Sequence, residues 1–466
     1  MNHCRALIPG VMATLLTSST VSAEIGPLEA RNRMFEDEFP RQYETWKQTA
    51  EMDFKSKHLG NVMEDALESD PRLVVLWAGY GFSKDYNAPR GHMHAVTDVR
   101  NTLRTGAPMK PTDGPMPNAC WTCKSTDDTR LLAKEGNNFF KGKWFSKGSE
   151  IVNPIGCIDC HDPGKDMTLR AGRPHLYEAL KASGQDPSKL TQHDWRTMVC
   201  AQCHVEYYFA GKDKIVTLPW DNGTLAEEVE VYYDNRNFKD WTHKLSKAPM
   251  LKAQHPGYEM WKEGVHGRNN VSCAACHMPQ RRDKGVTFTD HRVVSPLRDI
   301  QASCKTCHSQ SEKYLLEVTY ARQDQVKQLR IKTEDMLVRA HVEAKAAWDA
   351  GASDKEMEKV LMLIRHAQWR WDYAVASHGA SFHAPEEVLR VLGSSLDQSG
   401  KARTELARIL ARYGITKEIP MPDITTKEKA QAYIGLDMEK LKADKEKFKK
   451  EILPKWDAEA KAKGLL

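Results

Sequence analysis

Apolar positions recur at helical spacing amid Lys, Glu and Arg over residues 311–351 and 353–378, and again over 385–413 and 426–463. The last third of the chain is therefore expected to be long α-helices. A stripe such as Leu315, Val318, Val326 and Leu329 gives one of them an apolar packing face, with a subunit contact as its other use. The Lys/Glu-rich run over 438–450 reads as a solvated helix face. Upstream the texture differs. Residues 24–91 read as polar and helical, with the run RLVVLWAGY at 72–80 expected to be buried. Gly and Pro punctuate the stretch TGAPMKPTDGPMPNAC that ends at Cys120, which excludes long regular elements there, and strand signals are sparse throughout.

The 466 residues are 40% hydrophobic and 28% charged, values of a globular chain. A near balance of 68 basic against 63 acidic residues lacks the clustered excess that nucleic-acid binding needs. Arg5, a short apolar run and the small residues Val21, Ser22 and Ala23 form a secretory-signal pattern over 1–23. An uncleaved interfacial anchor is the competing reading. The apolar run falls short of the ~20 residues that span a bilayer, and no later window of that length escapes charge. Cleavage after Ala23 removes Cys4 from the 11 cysteines and leaves ten, all in five C-x-x-C pairs between Cys120 and Cys307.

Four pairs are followed at once by histidine: Cys157/Cys160/His161, Cys200/Cys203/His204, Cys273/Cys276/His277 and Cys304/Cys307/His308. C-x-x-C-H is the attachment motif of c-type haem. Two thiols on one turn reach the two vinyl groups, and the next imidazole reaches the iron. Zinc ribbons, disulfides and redox dithiols use C-x-x-C as well. With 18 histidines in 466 residues, however, four such successions have a chance on the order of one in a hundred thousand. The fifth pair, Cys120 and Cys123, is followed by Lys124. One reading is a disulfide or an empty, degenerate site. The other is an amine ligand to iron, which requires a lysine of ordinary pKa ~10.4 to give up its proton.

A single C-x-x-C-K upstream of four C-x-x-C-H motifs, together with NTLRTGAP around Arg104, HVEYY over 204–208 and KAQHP over 252–256, resembles the pentahaem cytochrome c nitrite reductases, periplasmic enzymes that reduce nitrite to ammonium. The resemblance covers the whole chain after the signal. It implies a mainly α, multihaem cytochrome c fold with a pentahaem-binding catalytic region over 24–310, in which haems replace the usual core over 120–308, and long helices over 311–466 for packing and a homodimer contact. It implies a lysine-ligated haem open on its distal side, with Arg104, Tyr207 and His255 around the bound ligand. Taken singly, each of these three would read as a surface cation, a packing ring and a core imidazole. The resemblance also implies one calcium ion held by Glu206, the backbone of Tyr207 and Lys252, and the Gln254 side chain. As second axial ligands it selects His92 for the haem of His204, His266 for that of His308, His291 for that of His161 and His383 for that of His277. His94, two residues on, competes with His92, while His175, His193, His366 and His378 read as structural. A multihaem or quinol-linked donor protein would supply electrons. A multihaem electron carrier without a substrate site, and a reductase directed at hydroxylamine or sulfite, are the alternative functions.

Overall fold

The computed structural model describes residues 25–58 and 60–466; the expected signal segment lies outside them. Three long helices dominate: α1 (Glu312–Asp349), α2 (Asp354–Ala376) and α3 (Pro385–Arg412). Ser311 caps α1 through its hydroxyl. Ser353 and Glu356 form a reciprocal capping box on α2, and Pro385 opens α3 where its missing N–H costs nothing. Gly351, at φ +98°, makes the turn from α1 to α2 in a conformation that disfavours a side chain.

The three helices pack on one another along an apolar seam that includes Leu337, Val338 and Ala344 of α1, Val360, Ile364 and Trp371 of α2, and Val391, Leu392 and Leu406 of α3. The 72–80 run docks on this seam. Its short helix Arg72–Leu76 is buried, and Trp77 packs against Trp371 with ring centroids 5.8 Å apart. Val326 of the α1 stripe is buried and Leu315, Val318 and Leu329 are half-buried, whereas Tyr314 and Ile331 are exposed.

Three expectations are corrected. Residues 426–463 form three helices instead of one: Lys427–Tyr433, α4 (Met438–Glu451) and α5 (Leu453–Ala462). The chain breaks at Gly435, φ +67°, and again before Pro454, which cannot continue the hydrogen-bond ladder of α4. Nor is 438–450 wholly solvated, because Lys445 and Phe448 are buried. The polar 24–91 stretch is only partly helical, with Pro40–Lys47, Ala66–Ser69 and Arg72–Leu76 as its α segments. Without a continuous apolar face, its backbone groups find side-chain partners instead, as when Asn61 accepts from Phe54 N and donates to Glu51 O.

The strands among the described residues form four separate two-stranded antiparallel pairs. Three of them deliver site residues. Tyr208–Ala210 pairs with Ile215–Thr217 directly after Tyr207; Trp241–Thr242 pairs with Pro249–Met250 just before Lys252; Gln280–Asp283 pairs with Val286–Thr289 and carries the chain from His277 to His291.

Candidate haem and substrate site

The Cys120–Lys124 segment is wedged into an aromatic cluster. Trp121 lies flat on Trp144, centroids 4.8 Å apart at 8°, and its Nε1 donates to the Trp144 carbonyl at 2.9 Å. Phe448 of α4 and Trp456 of α5 pack on the other side of Trp144, at 5.9 and 5.4 Å. The C-terminal helices therefore wall off the motif expected to hold the active haem.

No disulfide joins any of the five C-x-x-C pairs. The pairs adjoin one another. The Cys123 and Cys203 thiols share a hydrogen bond, as do those of Cys200 and Cys273. Cys160 lies close enough to act on Cys200, and Cys304 on Cys276. The motif of Lys124 thus neighbours that of His204, which neighbours those of His161 and His277, with that of His308 beyond.

Each motif histidine has one other histidine ring at about 6 Å, and His204 has His255 beside it as well. The ring centroids are 6.3 Å apart for His92 and His204, and 6.2 Å for His161 and His291, His266 and His308, and His277 and His383. Two imidazoles bound through nitrogen at ~2 Å to one metal between them place their centroids ~6 Å apart. The Nδ1 atoms of His161, His277 and His291 are tied to the carbonyls of Met167, Val294 and Thr289 at 2.7, 3.0 and 2.8 Å. That fixes the tautomer and leaves Nε2 for a metal. Burial pushes His204 and His383 down to about 3 and His291 to about 4, so these rings are neutral, as ligands must be. His94 instead bonds the Ala50 carbonyl at 3.0 Å, away from His204. This donor set fits six-coordinate haem iron at four motifs.

Lys124, Arg104, Tyr207 and His255 are all half-buried. Burial raises the Cys120 thiol to about 12, against the pull of the Lys124 and Arg104 charges. The Tyr207 phenol is held well above its usual range, first by burial and then by Cys123 and Cys120. Burial holds His255 well below its ordinary value, with His204, His378 and Lys124 acting in the same direction. The three candidates thus lie around the Lys124 motif. The Arg104 guanidinium stacks on Phe82 at 4.4 Å and lies 5.7 Å from the Tyr86 ring, and its Nε donates to Thr102 Oγ1 at 3.3 Å. His255 Nε2 sits 3.2 Å from His204 Nδ1.

The expected calcium ligands also come together. Glu206 is fully buried; its Oε1 accepts from the Tyr233 hydroxyl at 2.9 Å and its Oε2 from Gln254 N at 2.6 Å. Gln254 Nε2 donates to the Lys252 carbonyl at 3.1 Å. Burial raises Glu206 well above the carboxylate range, followed by Glu259 and Asp240 as further raising causes, a strain that a bound cation would relieve. An acidic oxygen, an amide oxygen and backbone carbonyls suit a hard cation. The Lys252 ammonium does not enter this set, because it is paired with buried Asp372 at 2.8 Å.

The sequence reading missed Asp372, Phe82, Trp144 and Tyr233, residue types with no local signature. It also left His378 as structural, yet that ring stands edge-on to His255 at 5.4 Å. His175, His193 and His366 do make ordinary bonds, to the Gln202 and Asn270 carbonyls and to Asp234.

Residues 32–464 match the family model for cytochrome c552. The chain is 54% identical over 444 residues to cytochrome c-552 of Parabacteroides distasonis, covering 95% of this chain and 90% of that one. It is 53% identical over 440 residues to cytochrome c-552 of Bacteroides thetaiotaomicron, covering 94% and 89%. Among solved structures it is similar to the cytochrome c nitrite reductase catalytic subunit of Desulfovibrio desulfuricans, described with two calcium sites. The TM-score is 0.79 at 30% identity, covering 90% of this chain and 91% of that one.

Proposed function

The chain belongs to the cytochrome c552 family, and from that premise we propose that it is an exported, ammonia-forming nitrite reductase with five covalently held c-type haems and one calcium ion. One observation carries the reading. Four motif histidines each have another histidine ring centred 6.2–6.3 Å away, and Arg104, Tyr207 and His255 lie around the Cys120–Lys124 motif. Bound at these motifs, the haems would supply electrons, and the one at Lys124 an open coordination position for the nitrogen of nitrite.

The chain's own groups do the rest. Arg104, propped on Phe82, offers planar donors to an oxyanion and stabilises charge leaving with oxygen. With His204 Nδ1 as donor, His255 Nε2 accepts, so the His255 ring proton sits on Nδ1, the atom available to protonate a departing oxygen. Burial keeps Tyr207 a neutral phenol that donates and accepts hydrogen bonds. Glu206, Gln254 and the Tyr207 and Lys252 carbonyls would hold calcium and so tie the Tyr207 segment to the His255 segment. The balance is nitrite plus six electrons and eight protons to ammonium and two waters.

The succession of touching motifs gives electrons a continuous route from an external multihaem or quinol-linked donor to Lys124. The exposed Tyr314 and half-buried Leu315 at the start of α1 would contribute to a homodimer contact. Among the described residues no helix is long and apolar enough to cross a membrane. A periplasmic location rests on the 1–23 signal pattern. Intact mass of the exported protein tests the haem count, with five increments expected. Steady-state assays with a reduced viologen test the reaction, and absence of ammonium from nitrite would end the proposal.

A further inference from the structure

α4 carries one lysine that a solvated face does not explain. Lys445 is 2% exposed, and lysine is almost never fully buried without partners. Its Nζ donates to Thr105 Oγ1 at 3.1 Å and to the Gly106 carbonyl at 2.7 Å. Nζ also lies 4.8 Å from the centre of the Phe448 ring and 5.9 Å from that of Trp144, the ring stacked on Trp121. Both hydrogen-bond partners belong to the turn that carries Arg104. Gly106, at φ +70°, lets the chain reverse there. On the same turn Asp85 Oδ2 accepts from the Thr102 hydroxyl at 2.8 Å and from Leu103 N at 3.0 Å, near enough to Lys445 to favour its charge. The 102–106 turn is thus held by the Asp85 carboxylate and the buried Lys445 amine together, with Arg104 at its centre.

We propose that Lys445 is a positioning residue for the substrate anion: by holding Thr105 and the Gly106 carbonyl it sets where the Arg104 guanidinium stands, and so makes the C-terminal helix part of the nitrite site. The inference rests on the reading of Arg104 as the anion-binding group. A lysine that only anchored the tail would need no contact with this turn, since Phe448, Ile452 and Trp456 already bury the apolar side of α4 and α5.

The test is a steady-state comparison on the holoenzyme of nitrite, an anion, with hydroxylamine, which is neutral at pH 7. In Lys445→Met the nitrite KM is expected to rise about tenfold, the worth of one to two buried hydrogen bonds, with kcat and the hydroxylamine KM retained. Lys445→Gln, which keeps a neutral donor, should fall between wild type and Met. No change, or equal shifts for the two substrates, in whichever variant retains five haems by mass overturns the inference. Arg104→Gln is the control. If it raises the nitrite KM and the Lys445 variants do not, this inference alone fails; if Arg104→Gln leaves the nitrite KM unchanged, the anion-binding reading fails and takes this one with it.

Discussion

His204 Nδ1 lies 3.2 Å from His255 Nε2, with the rings edge to face at 4.5 Å and 76°. A histidine that ligates iron through Nε2 keeps its proton on Nδ1, so His204 is the donor. With iron held at Nε2, the bond would make His204 a more basic ligand and favour the oxidised metal. In the proposed function this one hydrogen bond would couple the substrate histidine to the neighbouring electron-transfer haem.

His255→Leu removes the acceptor. The potential of one bis-histidine haem is expected to rise, read by optical potentiometric titration, while nitrite turnover falls roughly 10²–10⁴-fold from loss of the proton donor. An unchanged set of potentials would show that the contact does not act on the haem of His204.

Lys124→His converts the odd motif into a fifth C-x-x-C-H. The thioethers to Cys120 and Cys123 do not depend on residue 124, so intact mass should still report five haems. Nitrite turnover should fall by at least about 10–100-fold, because a σ-donating amine is replaced by an imidazole and the iron's electronic character changes. Wild-type rates in this variant would make lysine ligation dispensable.

Glu206 supplies the only expected acidic oxygen to the calcium site, and burial without a cation already holds it well above the carboxylate range. Chelation of wild type should lower both the melting temperature and nitrite turnover, and added calcium should restore them. Glu206→Gln removes the buried charge, so its calcium affinity should drop by at least about 10–100-fold and its melting temperature should no longer respond to calcium. A variant that still gains stability from calcium would place the ion elsewhere.

What was legible in the chain was what local chemistry demands. C-x-x-C-H needs its residues on one turn, so position along the sequence alone identifies it, and helical spacing identified α1, α2 and α3 within a few residues. The facing histidines are a different matter. His92 lies far from His204 in sequence and His383 far from His277, and only the resemblance paired them. Lys445 reaches Thr105 across 340 positions from a run whose composition is that of a solvated face. Its burial follows from Trp144 and Trp456 closing around α4, which no window of sequence contains. Arg104 had a visible candidate role, but the Phe82 ring beneath it and the Asp85 carboxylate bracing its turn were ordinary residues until folded together.

Outside the haem site, His243 and His341 stack face to face at 3.7 Å and 20°, both fully buried. Their hydrogen bonds fix both rings as neutral. His243 Nδ1 accepts from Leu245 N and Ser246 N while its Nε2 donates to the Val75 carbonyl; His341 Nδ1 takes the Ser246 hydroxyl and its Nε2 donates to Gln368 Oε1. A further proton has no place without breaking a bond and setting charge against the opposite ring. Burial pushes His341 down to about 4 and His243 well below its ordinary value, the neighbouring His341 ring adding to the effect on His243. An unfolded histidine titrates near ~6.5. Between ~6.5 and about 4 the unfolded chain therefore binds more protons than the folded one, and stability falls as pH falls through that window. From pH 7 to 5 the His341 share of the loss is ~2 kcal/mol. Urea unfolding of the holoprotein at both pH values should show His341→Gln losing less stability than wild type by about that amount, whatever its stability at pH 7. Parallel losses in the two proteins would mean that the stacked pair accepts its proton in the folded state.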